Sequence, residues 1–217
     1  MANKLLARLF LGIGLCFSTN AFAEKSGAFV GIEAANIGIA ILKTKDLQTK
    51  PKEESKVSVG YDWGIVIGYK QFFNDYIGLR YYARLNNAYF YFSDDKQSET
   101  SAFNYNANID FLFNFIAKEN VDFGGFLGVG IGGISYIGKP ITISTDTIQT
   151  HYTDDTSFNA ALNIGLRVNF ATIHTIEIVE TLRLESHNLF GTTLKPSNGS
   201  ASIYYPYTTA IRYTISF

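Results

Sequence analysis

Twelve ionisable side chains recur at alternating positions along this chain. Glu33, Asp62, Asp110, Asp122, Glu177 and Glu185 stand against Lys70, Arg80, Arg84, Arg167, Arg183 and Arg212. Most are flanked on both sides by apolar residues, so they would share one face of their strands. Equal numbers of acids and bases on a common inner face can neutralise one another as ion pairs. They can equally line a narrow path for ions or small solutes, and the sequence leaves both readings open. The expected centre of this network is Arg84 with Asp62 and Asp110. A turn at Asn74 would set Arg84 opposite Gly64 and diagonal to Asp62, and a loop centred near residue 96 would set it diagonal to Asp110. Gly60, Gly64 and Gly68, on the same face, would leave room for the arginine stems.

Other chemistry has weaker support. Glu185, Ser186 and His187 are the residue types of a hydrolytic triad, but adjacent strand residues point to opposite faces. His151 falls in a polar loop and His174 in a turn, and no pair of His or Cys has metal-ligand spacing. Gly124, Gly125, Gly128, Gly130, Gly132 and Gly133 lie in a strand with no helix after it, which is no phosphate loop. No catalytic site, cofactor or metal is expected, and the near-neutral charge gives no reason to expect nucleic acid.

One residue breaks the pattern. Continuing from Ile176 and Ile178 to Leu182 and Leu184, Glu180 should stand on the apolar face, with the polar Thr209 outward on the neighbouring last strand. A protonated carboxyl, a bulge turning it inward, or a lateral contact with another protein would each account for it.

The elements that position these residues follow from a period of two sustained over long segments. Phe103, Tyr105, Ala107, Ile109, Phe111, Phe113 and Phe115 alternate with Asn104, Asn106, Asn108, Asp110, Leu112 and Asn114. Val57 to Tyr69, Phe158 to Phe170 and Ile211 to Phe217 repeat the pattern. A strand tilted at roughly 45° crosses a bilayer in about 9–11 residues, and these runs are long enough. No apolar run of helical length occurs beyond the N-terminus, which excludes a helical membrane protein.

Eight such segments are expected, near 27–40, 57–72, 76–92, 101–116, 121–137, 156–170, 175–185 and 202–217. Tight turns at 74–75, 117–120 and 171–174 alternate with longer polar loops at 43–56, 93–100, 138–155 and 186–201. The fold class is therefore all-β, a transmembrane antiparallel up-and-down β-barrel of eight strands. Aromatics should form a rim at each end, with Phe72, Phe73, Tyr76, Phe115, Phe170 and Phe217 at the turn end. Tyr89 to Phe92, Phe103, Tyr136, Phe158 and Tyr204-Tyr205 belong to the loop end. Tyr213, Ile215 and Phe217 close the chain as an aromatic strand of the kind that outer-membrane insertion machinery reads.

Residues 1–23 read as a cleaved signal peptide, with Lys4 and Arg8, an apolar stretch from Leu9 to Phe17, and Ala21-Phe22-Ala23 before Glu24. Leu15 stands before Cys16 where a lipoprotein signal wants a small residue. Residues 24–217 form the barrel domain and contain no cysteine, so disulfides cannot stabilise it.

Gly68-Tyr69-Lys70-Gln71-Phe72-Phe73, Gly78-Leu79-Arg80-Tyr81-Tyr82 and Asn163-Ile164-Gly165-Leu166-Arg167-Val168-Asn169-Phe170, followed by His174 and Glu177-Ile178, resemble the Helicobacter outer-membrane protein family. The resemblance runs from about residue 57 to the terminus. It implies a barrel in the bacterial outer membrane, in contact with its lipid and lipopolysaccharide, in a family that includes adhesins and proposed porins. The chain lacks the large cysteine-bearing extracellular domain of the family's adhesins, and Glu180 stands where family members have an apolar residue. A structural or surface-presenting barrel is the leading expectation. A small-solute or ion pore comes second. A binding module meeting a host or envelope partner through loops 43–56 and 138–155 comes third.

Overall fold

The computed structural model describes residues 24, 26–46, 53–91, 99–118, 120–138, 155–185, 199–204 and 207–217. These form nine strands: β1 (Gly27–Asp46), β2 (Glu53–Phe72), β3 (Ile77–Tyr91), β4 (Glu99–Lys118), β5 (Val121–Gly138), β6 (Asp155–Phe170), β7 (His174–Glu185), β8 (Gly199–Tyr204) and β9 (Tyr207–Ser216). Each pairs antiparallel with its neighbours, and β1 pairs β2 on one side and β9 then β8 on the other. β8 and β9 thus follow one another along β1 and make a single stave, so the sheet closes on itself as an eight-stave barrel.

Closure has a measurable stagger. Starting at Gly27 and following paired residues through Lys70, Arg80, Asp110, Gly128, Asn163, Thr181 and Thr208, the path returns to β1 at Ile37, ten residues from its start. A shear of ten over eight staves tilts the strands by roughly 40° and leaves an interior only wide enough for side chains.

The alternation places the apolar set outside. Trp63, Ile65, Ile67, Ile109, Leu127, Val129, Ile131, Ile164 and Ile211 are exposed on the outer wall. A soluble protein would not leave such a band in water, whereas hydrocarbon covers it. Phe73, Tyr76, Phe115 and Phe217 are exposed near the end with the tight turns, and Tyr89, Phe103 and Phe158 are exposed on the outer wall toward the end with the longer connections.

Several expectations need correction. β1 and β2 run on to Asp46 and Glu53 and pair there, with Lys45 opposite Glu53, so much of the anticipated 43–56 loop is strand. Ala117 and Lys118 likewise belong to β4, whose register shifts between Asn114 and Ile116. That bulge lets the consecutive Phe115 and Ile116 both face outward. Phe72 is no rim residue: it packs against the interior cluster of Leu112, Phe126 and Val179. The 93–100, 138–155 and 186–201 loops, residues 1–23, His151 and His187 lie largely or wholly outside the described residues.

Candidate functional site

The inward face is built from ion pairs set by register. Arg167 stands opposite Glu177, Glu177 opposite Arg212, and Arg212 opposite Glu33, so charges alternate in sign across β6, β7, β9 and β1. Two inward-facing lines of paired residues away, Arg80 stands opposite Asp110. Directly opposed residues have their side chains within reach, so the wall itself delivers each base to an acid.

Arg80 donates from Nε and Nη2 to Oδ2 of Asp110 at 3.1 and 2.6 Å, and from Nη1 to Oε1 of Glu177 at 2.5 Å. Arg212 grips Glu33 with Nε and Nη2 at 3.0 and 2.9 Å and reaches Oε2 of Glu177 at 3.2 Å. Arg84 donates through Nε to Glu33 at 2.7 Å and through Nη1 to Thr181 at 3.0 Å. Glu33, Arg80, Arg84, Asp110, Glu177 and Arg212 are all buried. Buried charges are tolerable only when paired, because each lone ion removed from water costs several kcal/mol.

The anticipated Arg84–Asp62–Asp110 centre is therefore redrawn. The β2–β3 register puts Arg84 opposite Val66 rather than Gly64, and the β3–β4 register puts it opposite Asn106. Glu33 is the carboxylate that Arg84 grips, Arg80 holds Asp110, and Arg183 lies 3.7 Å from Asp62. The inward glycines serve other residues than arginine: a Cβ on Gly68 would strike Tyr82, and one on Gly128 would overlap Oδ1 of Asp110.

Two further layers flank the charges. The guanidinium of Arg80 lies 4.8 Å from the Phe126 ring centre and 5.0 Å from that of Tyr82, and Arg212 lies 5.0 Å from Tyr82. Such cation–π contacts shield the charges with apolar mass. Phe29, Val66 and Tyr82 form one interior cluster, and Ala35, Leu112, Phe126, Val179 and Ala210 another. On the other side lies an amide layer. Thr181 donates to Asn163 at 3.1 Å, Asn163 to Asn108 at 3.1 Å, and Asn159 to Asn106 at 3.5 Å.

Glu24, three residues before β1, completes the arrangement at the turn end. Its carboxylate is buried and accepts hydrogen bonds from both Lys70 and Arg167, while Ser26 accepts from the Phe72 amide at 2.8 Å. Burial alone raises the Glu24 pKa and is the largest single effect. Arg167 and then Lys70 together outweigh it, leaving the group below its ordinary value. Periodicity could not reveal Glu24, because it precedes the first strand. The inward aromatics Phe29, Tyr82 and Phe126 share the parity of Glu33, Arg80 and Asp122, so that signal was present.

On the outer wall Glu180 is paired with Thr209 across β7 and β9, and Thr209 donates to it at 3.0 Å. His174 stacks on Phe170 and Tyr213, and its Nδ1 lies 2.7 Å from the Tyr213 hydroxyl. Phe217 donates its backbone N–H to Ala28, which ties the end of the chain to its first strand.

A closed eight-stave wall with an apolar exterior and a charged interior defines an integral outer-membrane β-barrel protein. The chain belongs to the Helicobacter outer membrane protein family, which it matches over residues 64–217, and its place is the bacterial outer membrane. Among solved structures it is similar to neisserial surface protein A, with 11% identity, TM-score 0.46, and coverage of 88% of this chain and 98% of that one. It is similar also to Ail, the attachment invasion locus protein of Yersinia pestis (14%, 0.42, 89% and 100%). The outer membrane enzyme PagL is a third such structure (14%, 0.44, 82% and 99%). No match was found among curated proteins.

Proposed function

We propose that this protein is a non-enzymatic barrel with a filled lumen, which stabilises the envelope and presents its loops at the cell surface. The carrying observation is Arg80, on β3, bonded at once to its neighbour Asp110 and to Glu177 on β7, four staves away. In an eight-stave barrel that contact spans a full diameter. Conduction through the lumen would require separating these buried charges, which costs several kcal/mol per ion. Outer-membrane lipid and lipopolysaccharide meet the apolar wall. The insertion machinery reads Tyr213, Ile215 and Phe217, of which Phe217 stands exposed at the end of β9.

The test is current recorded from residues 24–217 folded into planar bilayers, with the heat-dependent gel shift as the measure of folding. Folded protein that leaves the membrane silent supports this reading. Reproducible unitary steps would replace it with a small-solute or ion pore, with Arg80, Arg84, Asp62 and Asp110 as candidates for its constriction.

A further inference from the structure

The outer wall carries a polar group that the lumen does not use. Between its two rims the described outward side chains are aliphatic, aromatic or neutral polar, with one charged exception, Glu180. It stands midway along β7, with Ile178 and Leu182 beside it on the same face and Ile164 opposite it on β6. Val179 and Thr181, its chain neighbours, are buried inward, so no bulge turns Glu180 toward the lumen. Thr209 is the one donor that reaches it among the described residues, and the Tyr207 hydroxyl lies 3.1 Å from Thr209. A carboxyl accepts several hydrogen bonds, and hydrocarbon supplies none.

We propose that the β7–β9 face is the interface of a homodimer, centred on Glu180 and Thr209. The argument is complementarity of depth and of donors. Two copies inserted in the same sense into one membrane can be related by a two-fold axis only if that axis lies along the membrane normal. Every residue on the axis-facing wall then meets its counterpart at the same depth. An unrelated partner would need a polar group at that one level, whereas a second copy brings Glu180, Thr209 and Tyr207 there by symmetry. Thr209 and Tyr207 of each copy supply hydroxyl donors to the carboxyl of the other. Ile178, Leu182 and Ile211, exposed around the pair, provide the apolar surround.

The experiment uses residues 24–217, which contain no cysteine, folded in lipid vesicles with one reporter thiol introduced and a short bifunctional thiol crosslinker. Leu182→Cys, beside Glu180, should crosslink at least about tenfold more than Ala107→Cys on β4, which faces away across the barrel. Adding Glu180→Leu to the Leu182→Cys chain should lower the yield by about tenfold while the heat-dependent gel shift stays normal. Adding Glu180→Gln, which still hydrogen-bonds, should retain most of it. Equal yields from the two reporters would overturn the interface. A yield untouched by Glu180→Leu would overturn the role of the carboxyl at its centre.

Discussion

Nη1 of Arg80 lies 2.5 Å from Oε1 of Glu177, and the two residues stand on opposite sides of the barrel, on β3 and β7. Their sequence separation is 97 residues. A single guanidinium therefore ties together halves of the chain that share no hairpin, and it does so where water cannot compete.

Replacing Arg80 by Met should be costly. It leaves Asp110 without the base that donates twice to its Oδ2 and takes one of the bases from Glu177, so a loss of about 3–5 kcal/mol is expected, the magnitude of breaking a buried pair from one side. Urea unfolding in vesicles measures it. Combining Arg80→Met with Asp110→Asn should recover much of the loss, since one base and one acid then leave together and Glu177 keeps Arg212 and Arg167. A single variant as stable as the parent would show that this diameter is not held by the pair.

Gly128→Ala should also destabilise. A Cβ there overlaps Oδ1 of Asp110 and presses on the Ile109 carbonyl, so either the carboxylate shifts or the β4–β5 backbone moves. Overpacking of this kind costs about 1–3 kcal/mol. The same unfolding measurement reads it, and no loss at all would mean that Asp110 has another rotamer of equal energy.

The turn between β6 and β7 is strained. Ala171 and Thr172 have φ of 52° and 63°, the left-handed region that a β-branched residue disfavours most. Thr172→Gly should therefore stabilise the barrel, by about 1 kcal/mol. A decrease in stability would indicate that the Thr172 side chain contributes more than its backbone conformation costs.

Glu24 gives a pH signature. Its carboxyl lies below the ordinary value of 4.5, so its stabilising effect is complete above that pH and fades as pH falls through the lowered value. The stability difference between the parent and Glu24→Gln should be constant near neutrality and shrink in acid. A difference that grows on acidification has the wrong sign and would remove Glu24 from the turn-end contact.

The sequence by itself determined the wall of this protein. Side-chain direction in a strand alternates with a period of two whatever the partner, so Phe103 to Phe115 announced an outward face and Asn104 to Asn114 an inward one. The lengths of these runs and the alternation of short and long connections were enough for a barrel of eight staves. They were enough also to expect Arg80, Arg84, Arg167, Arg183, Arg212, Asp62, Asp110 and Glu177 on the inner face, where all eight are buried.

Only the tertiary structure decided which of them meet. Pairing depends on register, and register depends on turn geometry and bulges that periodicity does not encode. A displacement of two residues at the β2–β3 hairpin keeps every side chain on its own face, yet it moves Arg84 from opposite Gly64 to opposite Val66. The partnership of Arg84 with Glu33 involves β1 and β3, and that of Arg80 with Glu177 exists only because closure of the barrel brings β3 and β7 face to face. Glu24 lies before any strand, and closure brought it to Lys70 and Arg167. Local alternation is a property of each strand alone, whereas an ion pair across a lumen is a property of the closed ring.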